Sequence, residues 1–337
     1  MRNLGKTSLR ITEIGFGGAP LGNLFEMVTD ADARASVRTA WDSGCRFFDT
    51  APFYGYGLSE RRVGDALREV PREQYVLSTK VGRLIRPGRQ ASSGGTDFKS
   101  PMPFHAEFDY SYDAAMRSIE DSLQRLGLER IDLALIHDIA RDWHGERQPA
   151  VFRQAMDGAA KALMELKAAG RIGAIGLGVN GSDVCEEALQ EADFDCFLLA
   201  GRYTLLEQKP LERLLPACVK RNVSIIIGGP FNSGVLARIG QPDATYDYAA
   251  VPPEIAQRAA ALHEICSRHG VPLPAAALQF PLAHPAVASV IPGARNAAEV
   301  ASHWQWARLA IPAALWEDLR KSGLLHPEAP VPQGPVF

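Results

Sequence analysis

Eight short, near-continuous apolar runs, separated by stretches of different periodicity, constrain this chain more than any other feature. The runs are residues 11–17, 46–49, 75–80, 132–138, 172–179, 194–200, 222–228 and 288–293. Most of the gaps carry apolar residues at helical spacing, over 59–68, 112–126, 151–169, 183–190, 211–221 and 253–269. In the first gap Ala33, Val37, Ala40 and Trp41 share a helical face, with Thr29 or Asp30 available as N-cap and Gly44 as the stop. Apolar strands that do not alternate are buried on both faces, and helices between them imply parallel pairing. Eight such units in 337 residues predict a (β/α)8 barrel, a single domain over 1–337. An open doubly wound sheet would require a GxGxxG turn after the first strand, and Gly15-Phe16-Gly17-Gly18 does not supply it.

The turn signal Gly5-Lys6-Thr7-Ser8 predicts a small hairpin ahead of the barrel. Segments 83–108 and 234–251 are too long for simple connections and are expected as loops leaving the C-terminal mouth. Residues 313–321 read as a last helix with a loose tail beyond. With 46% hydrophobic and 22% charged residues the chain has the composition of a soluble globular protein. Its net charge of −3 argues against nucleic acid or an anionic membrane as partner. No apolar run nears the roughly 20 residues that cross a bilayer, and the charged N-terminus lacks a signal-peptide core. Cys45, Cys185, Cys196, Cys218 and Cys266 are scattered without a CxxC pair, so reduced thiols in a cytoplasmic protein are expected, with no metal site.

A barrel makes strand ends neighbours even when they are far apart in sequence. The second run ends on Asp49 with Tyr54 just beyond, the third on Lys80 and the fourth on His137. Taken singly, each has an ordinary explanation: a lysine snorkelling from a strand end, a carboxylate capping a turn, a hydrogen-bonded structural histidine. Four such groups at one mouth carry a desolvation cost that mutual pairing must offset, and together they read as a reaction centre. A phenol of pKa about 10 is a poor proton donor or acceptor at neutral pH. A lysine beside it is expected to lower that pKa, a carboxylate to hold the lysine, and a histidine to orient a substrate oxygen. This set moves a proton on a carbonyl or alcohol oxygen, so a hydride must come from or go to a cofactor.

These residues resemble the aldo-keto reductase family over nearly the whole chain. The likeness is carried by Leu-Gly-Lys-Thr-Ser-Leu at 4–9, Phe-Phe-Asp-Thr-Ala-Pro-Phe-Tyr-Gly at 47–55, Ser-Thr-Lys at 78–80, Ile-Asp-Leu-Ala-Leu-Ile-His at 131–137 and Val-Ile-Pro-Gly-Ala-Arg at 290–295. The resemblance implies a tetrad of Asp49, Tyr54, Lys80 and His137, with Tyr54 as general acid/base and a nicotinamide cofactor lying across the mouth. By the same resemblance the cofactor contacts are Gly18, Asn180, Tyr203 stacking on nicotinamide, and Pro230, Asn232, Ser233 and Gly234 around the pyrophosphate. Gly293, Arg295 and Glu299 fall at the adenosine end. Here Asn180 follows Val179 where many members have Ser-Asn, and Glu299 stands where a glutamine is common. A Lys-Ser pair of NADPH-dependent members is also absent, so the reading leans to NAD+ over NADP+. Phe53, Tyr56, Phe104, Trp143 and His144 are candidates for lining the substrate pocket.

Gly-Phe-Gly-Gly-Ala-Pro-Leu-Gly-Asn-Leu at 15–24 and Ile-Gly-Leu-Gly-Val-Asn at 175–180 look most like the aldose 1-dehydrogenase branch. That branch implies oxidation of the anomeric hydroxyl of a small-molecule sugar, of the L-galactose, L-fucose or D-arabinose type, to its lactone. Pyridoxal 4-dehydrogenase or a general aldehyde reductase is the alternative within the family. A Schiff-base aldolase would also use a strand-end lysine, but it needs that lysine uncharged, against Asp49. A redox-sensing regulatory subunit is the remaining, non-enzymatic reading.

Overall fold

The apolar runs pair side by side in sequence order in the computed structural model, which describes residues 1–88, 98–241 and 244–334. The strands are β1 (Phe16–Gly17), β2 (Phe47–Asp49), β3 (Val76–Val81), β4 (Leu133–His137), β5 (Ala174–Val179), β6 (Cys196–Ala200), β7 (Ser224–Gly228) and β8 (Val287–Ile291). Every neighbouring pair is parallel. The sheet closes where Ile14 bridges Val290 and Gly17 bridges Gly293. This is a (β/α)8 barrel.

Side chains alternate across each strand, so every second residue enters the barrel. Phe47, Val76, Leu133, Leu135, Cys196, Leu198 and Ile226 fill the interior. The opposite faces, with Phe48, Leu77, Ala134, Ile136, Leu177 and Ile225, pack beneath the helices. The hairpin expected at the N-terminus forms between Arg2–Asn3 and Arg10–Ile11, and its Leu4 and Ile11 plug the end of the barrel opposite the mouth. Closing that end leaves the C-terminal mouth as the side open to a ligand. The first helix runs Asp30–Asp42 with Thr29 as the N-cap, its side chain accepting from Asp32 N.

Three expectations need correction. The run 11–17 is not one strand, because Ile11 belongs to the hairpin and only Phe16–Gly17 lies in the barrel. The segment 83–108 is not a plain loop: Arg83–Pro87 and Phe104–Phe108 pair as an antiparallel ribbon over the mouth, and 89–97 lies outside the described residues. Within 234–251, Thr245–Tyr246 pairs with Ala249–Ala250. Short ribbons of this kind carry weak periodicity, and their pairing depends on what they cover. Of the loose tail, 335–337 likewise lies outside the described residues. All five cysteines are buried and free. Among the described residues no helix is long and apolar enough to cross a membrane.

Candidate active site

Adjacent strands bring Asp49 and Lys80 together. Asp49 ends β2 opposite Ser78 of β3, and Lys80, two residues on, points to the same side. Lys80 Nζ donates to Asp49 Oδ1 (2.9 Å) and Oδ2 (2.8 Å) and to the carbonyl of Thr50 (2.9 Å). The Ser78 hydroxyl also donates to Asp49. Gly178 of β5 leaves room for this lysine, since a Cβ there would lie 3.1 Å from Lys80 Cε. Both charges are almost fully buried, at 1% and 3% side-chain exposure. Burial pushes the Asp49 carboxyl up from the ordinary carboxylate range, and the Lys80 ammonium pulls the other way.

Tyr54 sits in the turn after β2, its carbonyl accepting from Ser59 N at the start of the helix Leu58–Leu67. Gly22 and Gly55 meet backbone to backbone behind it; a Cβ on Gly55 would lie 2.5 Å from the Gly22 carbonyl oxygen. Lys80 Nζ lies 4.9 Å from the Tyr54 ring centre, and the His137 ring stands edge-on at 5.9 Å. Tyr54, Lys80 and His137 line a pocket of about 60 Å³, and Asp49, bound to Lys80, lines the adjoining groove together with Tyr54.

The electrostatics correct one expectation. The Tyr54 phenol is held well above its ordinary pKa, first by burial and then by the charges of Asp49 and Asp138, with Arg83 opposing. The expected lowering by Lys80 does not prevail; its charge is met at contact by Asp49. His137 is pushed well below its ordinary value by burial, then by Lys80 and Arg83, so its imidazole is neutral near pH 7. Its Nδ1 has no hydrogen-bond partner among the described residues.

Phe53 and Trp143 line the small pocket together with Phe98 and Leu24, which sequence reasoning missed. Tyr56 packs behind, against Phe53 and Phe98. Phe104 lies on the ribbon away from the pocket wall, paired opposite Pro87. His144 is spent on structure, its Nε2 donating to the Asp138 carbonyl at 2.8 Å.

The small pocket opens into a groove of about 400 Å³ that crosses the mouth towards β7 and β8. Gly17, Gly201, Gly228, Gly229, Gly234 and Gly293 all line the groove, so at these points a ligand can approach the main chain. Asn180, Pro230, Ser233, Gly234, Gly293, Arg295 and Glu299 are on this wall as expected. Three expected contacts are not. Tyr203 is fully buried, packed against Phe280 and His284 away from the groove. Asn232 is turned inward, its side chain accepting from Thr204 Oγ1 and donating to the Gly201 carbonyl. Gly18 lies just behind the wall, its N–H donating to the Asp49 carbonyl at 2.7 Å, while Gly17 and Ala19 face the groove. Tyr248, from the 234–251 segment, lines both cavities and gave no sequence signal.

At the far end Arg295 Nε and Nη2 donate to Glu299 Oε1 (3.0 and 2.6 Å), and its N–H donates to Oε2 (2.8 Å). Glu26, from the loop after β1, pairs with the same guanidinium and approaches Arg238 at 3.9 Å. A groove of about 400 Å³ lined by six glycines, with Arg295 at one end and Asp49 and Tyr54 at the other, fits a dinucleotide.

A barrel whose mouth joins a proton-moving tetrad to such a groove has the form of a cofactor-dependent oxidoreductase. The model of the aldo/keto reductase family matches residues 13–322. A pyridoxal 4-dehydrogenase of Microbacterium luteolum is 46% identical over 334 residues, covering 96% of this chain and 97% of that protein. A D-threo-aldose 1-dehydrogenase of a Pseudomonas species is 42% identical over 323 residues, 94% of this chain and 95% of its own. Among solved structures, the holo form of the aldo-keto reductase AKR11C1 from Bacillus halodurans superposes with a TM-score of 0.75 at 26% identity, over 100% of this chain and 99% of that one. The chain belongs to the aldo/keto reductase family.

Proposed function

We propose that this oxidoreductase oxidises a cyclic hemiacetal at its hydroxyl-bearing carbon, as in the anomeric carbon of an aldose of the L-galactose, L-fucose or D-arabinose type, giving the lactone. The observation that carries this reading is the pairing of Tyr54 and His137 in a small pocket that opens directly onto the groove. Tyr54 takes the hydroxyl proton in oxidation and returns it in reduction. Neutral His137 donates its N–H to the same oxygen and orients it. The Asp49–Lys80 pair fixes the wall against which the Tyr54 ring rests. A nicotinamide cofactor would supply the hydride acceptor, and Asn180, Ser233 and the groove glycines are the residues that would hold it. Like the sequence, the pairing of Arg295 with two carboxylates favours NAD+, because a 2′-phosphate would have to compete with Glu299 and Glu26.

A second reading has its own observation. Phe53, Phe98 and Trp143 give the small pocket flat aromatic walls suited to a pyridine ring, and pyridoxal is the substrate named in a 46% identical relative. Pyridoxal closes to a hemiacetal through its neighbouring hydroxymethyl group, so the same chemistry serves both substrates. A matrix of NAD+ and NADP+ against D-arabinose, L-fucose, L-galactose and pyridoxal, followed by nicotinamide absorbance, separates them. Turnover of none of the four would end the hemiacetal reading. Glu299→Gln should raise kcat/KM for NADP+ relative to NAD+; an unchanged ratio would remove the charge argument.

A further inference from the structure

Directly after His137 the chain does something a strand does not. Successive strand residues point to opposite faces, yet Asp138 and His137 lie side by side, with Asp138 Oδ2 3.3 Å from His137 Nε2. The cause is the backbone at Asp138, which turns to φ +53, the left-handed region that non-glycine residues adopt at a cost. That turn is held from three sides. Asp138 N–H donates to the Gly178 carbonyl (2.9 Å), while the Tyr110 hydroxyl (2.9 Å) and His144 Nε2 (2.8 Å) donate to the Asp138 carbonyl. The strained turn delivers a carboxylate to the wall of the substrate pocket, beside His137 and Tyr54.

The carboxylate is itself held. Arg83 Nη2 donates to Asp138 Oδ2 at 2.6 Å, and the pair is buried at 1% and 6% side-chain exposure. The Arg83 guanidinium is boxed by rings, 3.7 Å from the centre of Phe53, 4.1 Å from Trp143 and 4.5 Å from Phe108. Cation–π packing of this kind fixes the fork of the arginine and so the orientation of the acid. None of the tetrad chemistry uses this pair. A buried carboxylate is acceptor-only, with more lone pairs than one arginine fills. It lies on the wall of the same pocket as Tyr54 and His137, beside the His137 ring.

Resting on the hemiacetal reading above, we propose that Asp138 is a substrate-specificity residue that accepts a hydrogen bond from a hydroxyl neighbouring the reacting carbon, with Arg83 as the positioning residue that aims it. The hydroxyl on C2 of an aldose and the ring hydroxyl beside the formyl carbon of pyridoxal are both of this class. A substrate lacking the hydroxyl leaves the acceptor capacity of the carboxylate beyond its Arg83 bond unfilled in the pocket. Sites built to bind a hydroxyl reject such analogues strongly, because the buried acceptor then goes unsatisfied.

The test compares substrate pairs that differ by that one hydroxyl: D-arabinose against 2-deoxy-D-ribose in oxidation, and salicylaldehyde against benzaldehyde in reduction. The readout is the ratio of kcat/KM within each pair, so a general loss of activity cancels. In the wild type we expect the hydroxylated member of at least one pair to be preferred by about 10- to 100-fold, the range of one charge-assisted hydrogen bond. Asp138→Asn, which tolerates the left-handed backbone, should lower that ratio tenfold or more. Because it removes the carboxylate charge that faces Arg83, the double variant Arg83→Gln/Asp138→Asn is measured beside it, with melting curves to verify folding. A wild-type ratio near one in both pairs would overturn the proposal without any variant, as would an unchanged ratio in either folded variant. If no sugar is oxidised, the hemiacetal reading fails for aldoses, and the aldehyde pair still decides the role of Asp138.

Discussion

Tyr54→Phe removes one oxygen and leaves the ring where it packs beside His137 and Lys80. Turnover should fall about 10²- to 10⁴-fold, the range of a general acid/base contribution, while the reduced nicotinamide still binds with a Kd within about threefold of wild type, measured by fluorescence titration. Because burial and two nearby carboxylates hold the Tyr54 phenol well above its usual pKa, the protonated form dominates through neutral pH. Reduction, which uses the phenol as acid, should be level between about pH 6 and 9, whereas oxidation, which needs it as base, should climb about tenfold per pH unit over that range. His137 is held well below its ordinary pKa and is already neutral there, so it should add no second break. Initial rates in both directions across that range check this. A level oxidation profile would mean that Tyr54 is not the base.

At the scale of elements, the loops after β1, β7 and β8 meet over the groove. Arg62, from the helix Leu58–Leu67, staples the base of the first loop by donating to the Leu21 and Val28 carbonyls and to Asn23 Oδ1. The loop's outer part carries Phe25, whose ring lies 6.1 Å from that of Tyr248, and Glu26, which pairs with Arg295. A fixed base and a tip held by exposed contacts make a clasp that opens without unfolding. Exposed ion pairs contribute about 0–1 kcal/mol, so Glu26→Gln should speed release of the reduced cofactor by up to about fivefold in stopped-flow fluorescence. High salt should do the same to the wild type and little to the variant.

For the molecule as a whole, acid sensitivity has an identifiable contributor in His284, buried between Tyr203 and the β8 turn. Its Nδ1 accepts from Ala286 N at 3.1 Å, and burial lowers its pKa to about 4. In the unfolded chain a histidine titrates near 6.5, so its contribution is full above that pH and is lost as pH falls towards about 4. The loss is on the order of 3 kcal/mol at most. His284→Asn keeps an acceptor near Ala286 and removes the titration. Urea midpoints measured from pH 7 to 4 should therefore fall less steeply for the variant than for wild type, even where the variant starts lower.

The fold was legible because strand burial on both faces and helix amphipathicity are written in each residue's own neighbourhood. Asp49, Tyr54, Lys80 and His137 were legible for the same reason, as polar groups ending otherwise apolar runs. What lay outside local reach depended on approach between distant segments. Tyr203 carries an aromatic ring at the expected position, but the packing of Phe280 and His284 draws it into the core. Phe98 and Tyr248 come from segments with no periodicity, and only the barrel brings them to its mouth. The pKa of Tyr54 turns first on burial and then on the charges of Asp49, Asp138 and Arg83, which no spacing records. Asp138 was not singled out in the sequence, because its place beside His137 required the left-handed turn and Arg83 from another strand's exit. The sequence by itself determined the barrel and which chemical groups stand at its mouth, since both follow from local patterns of burial. Only the tertiary structure decided which groups pair, which face the ligand and which are spent on packing, because those outcomes rest on distances between residues that the chain keeps far apart.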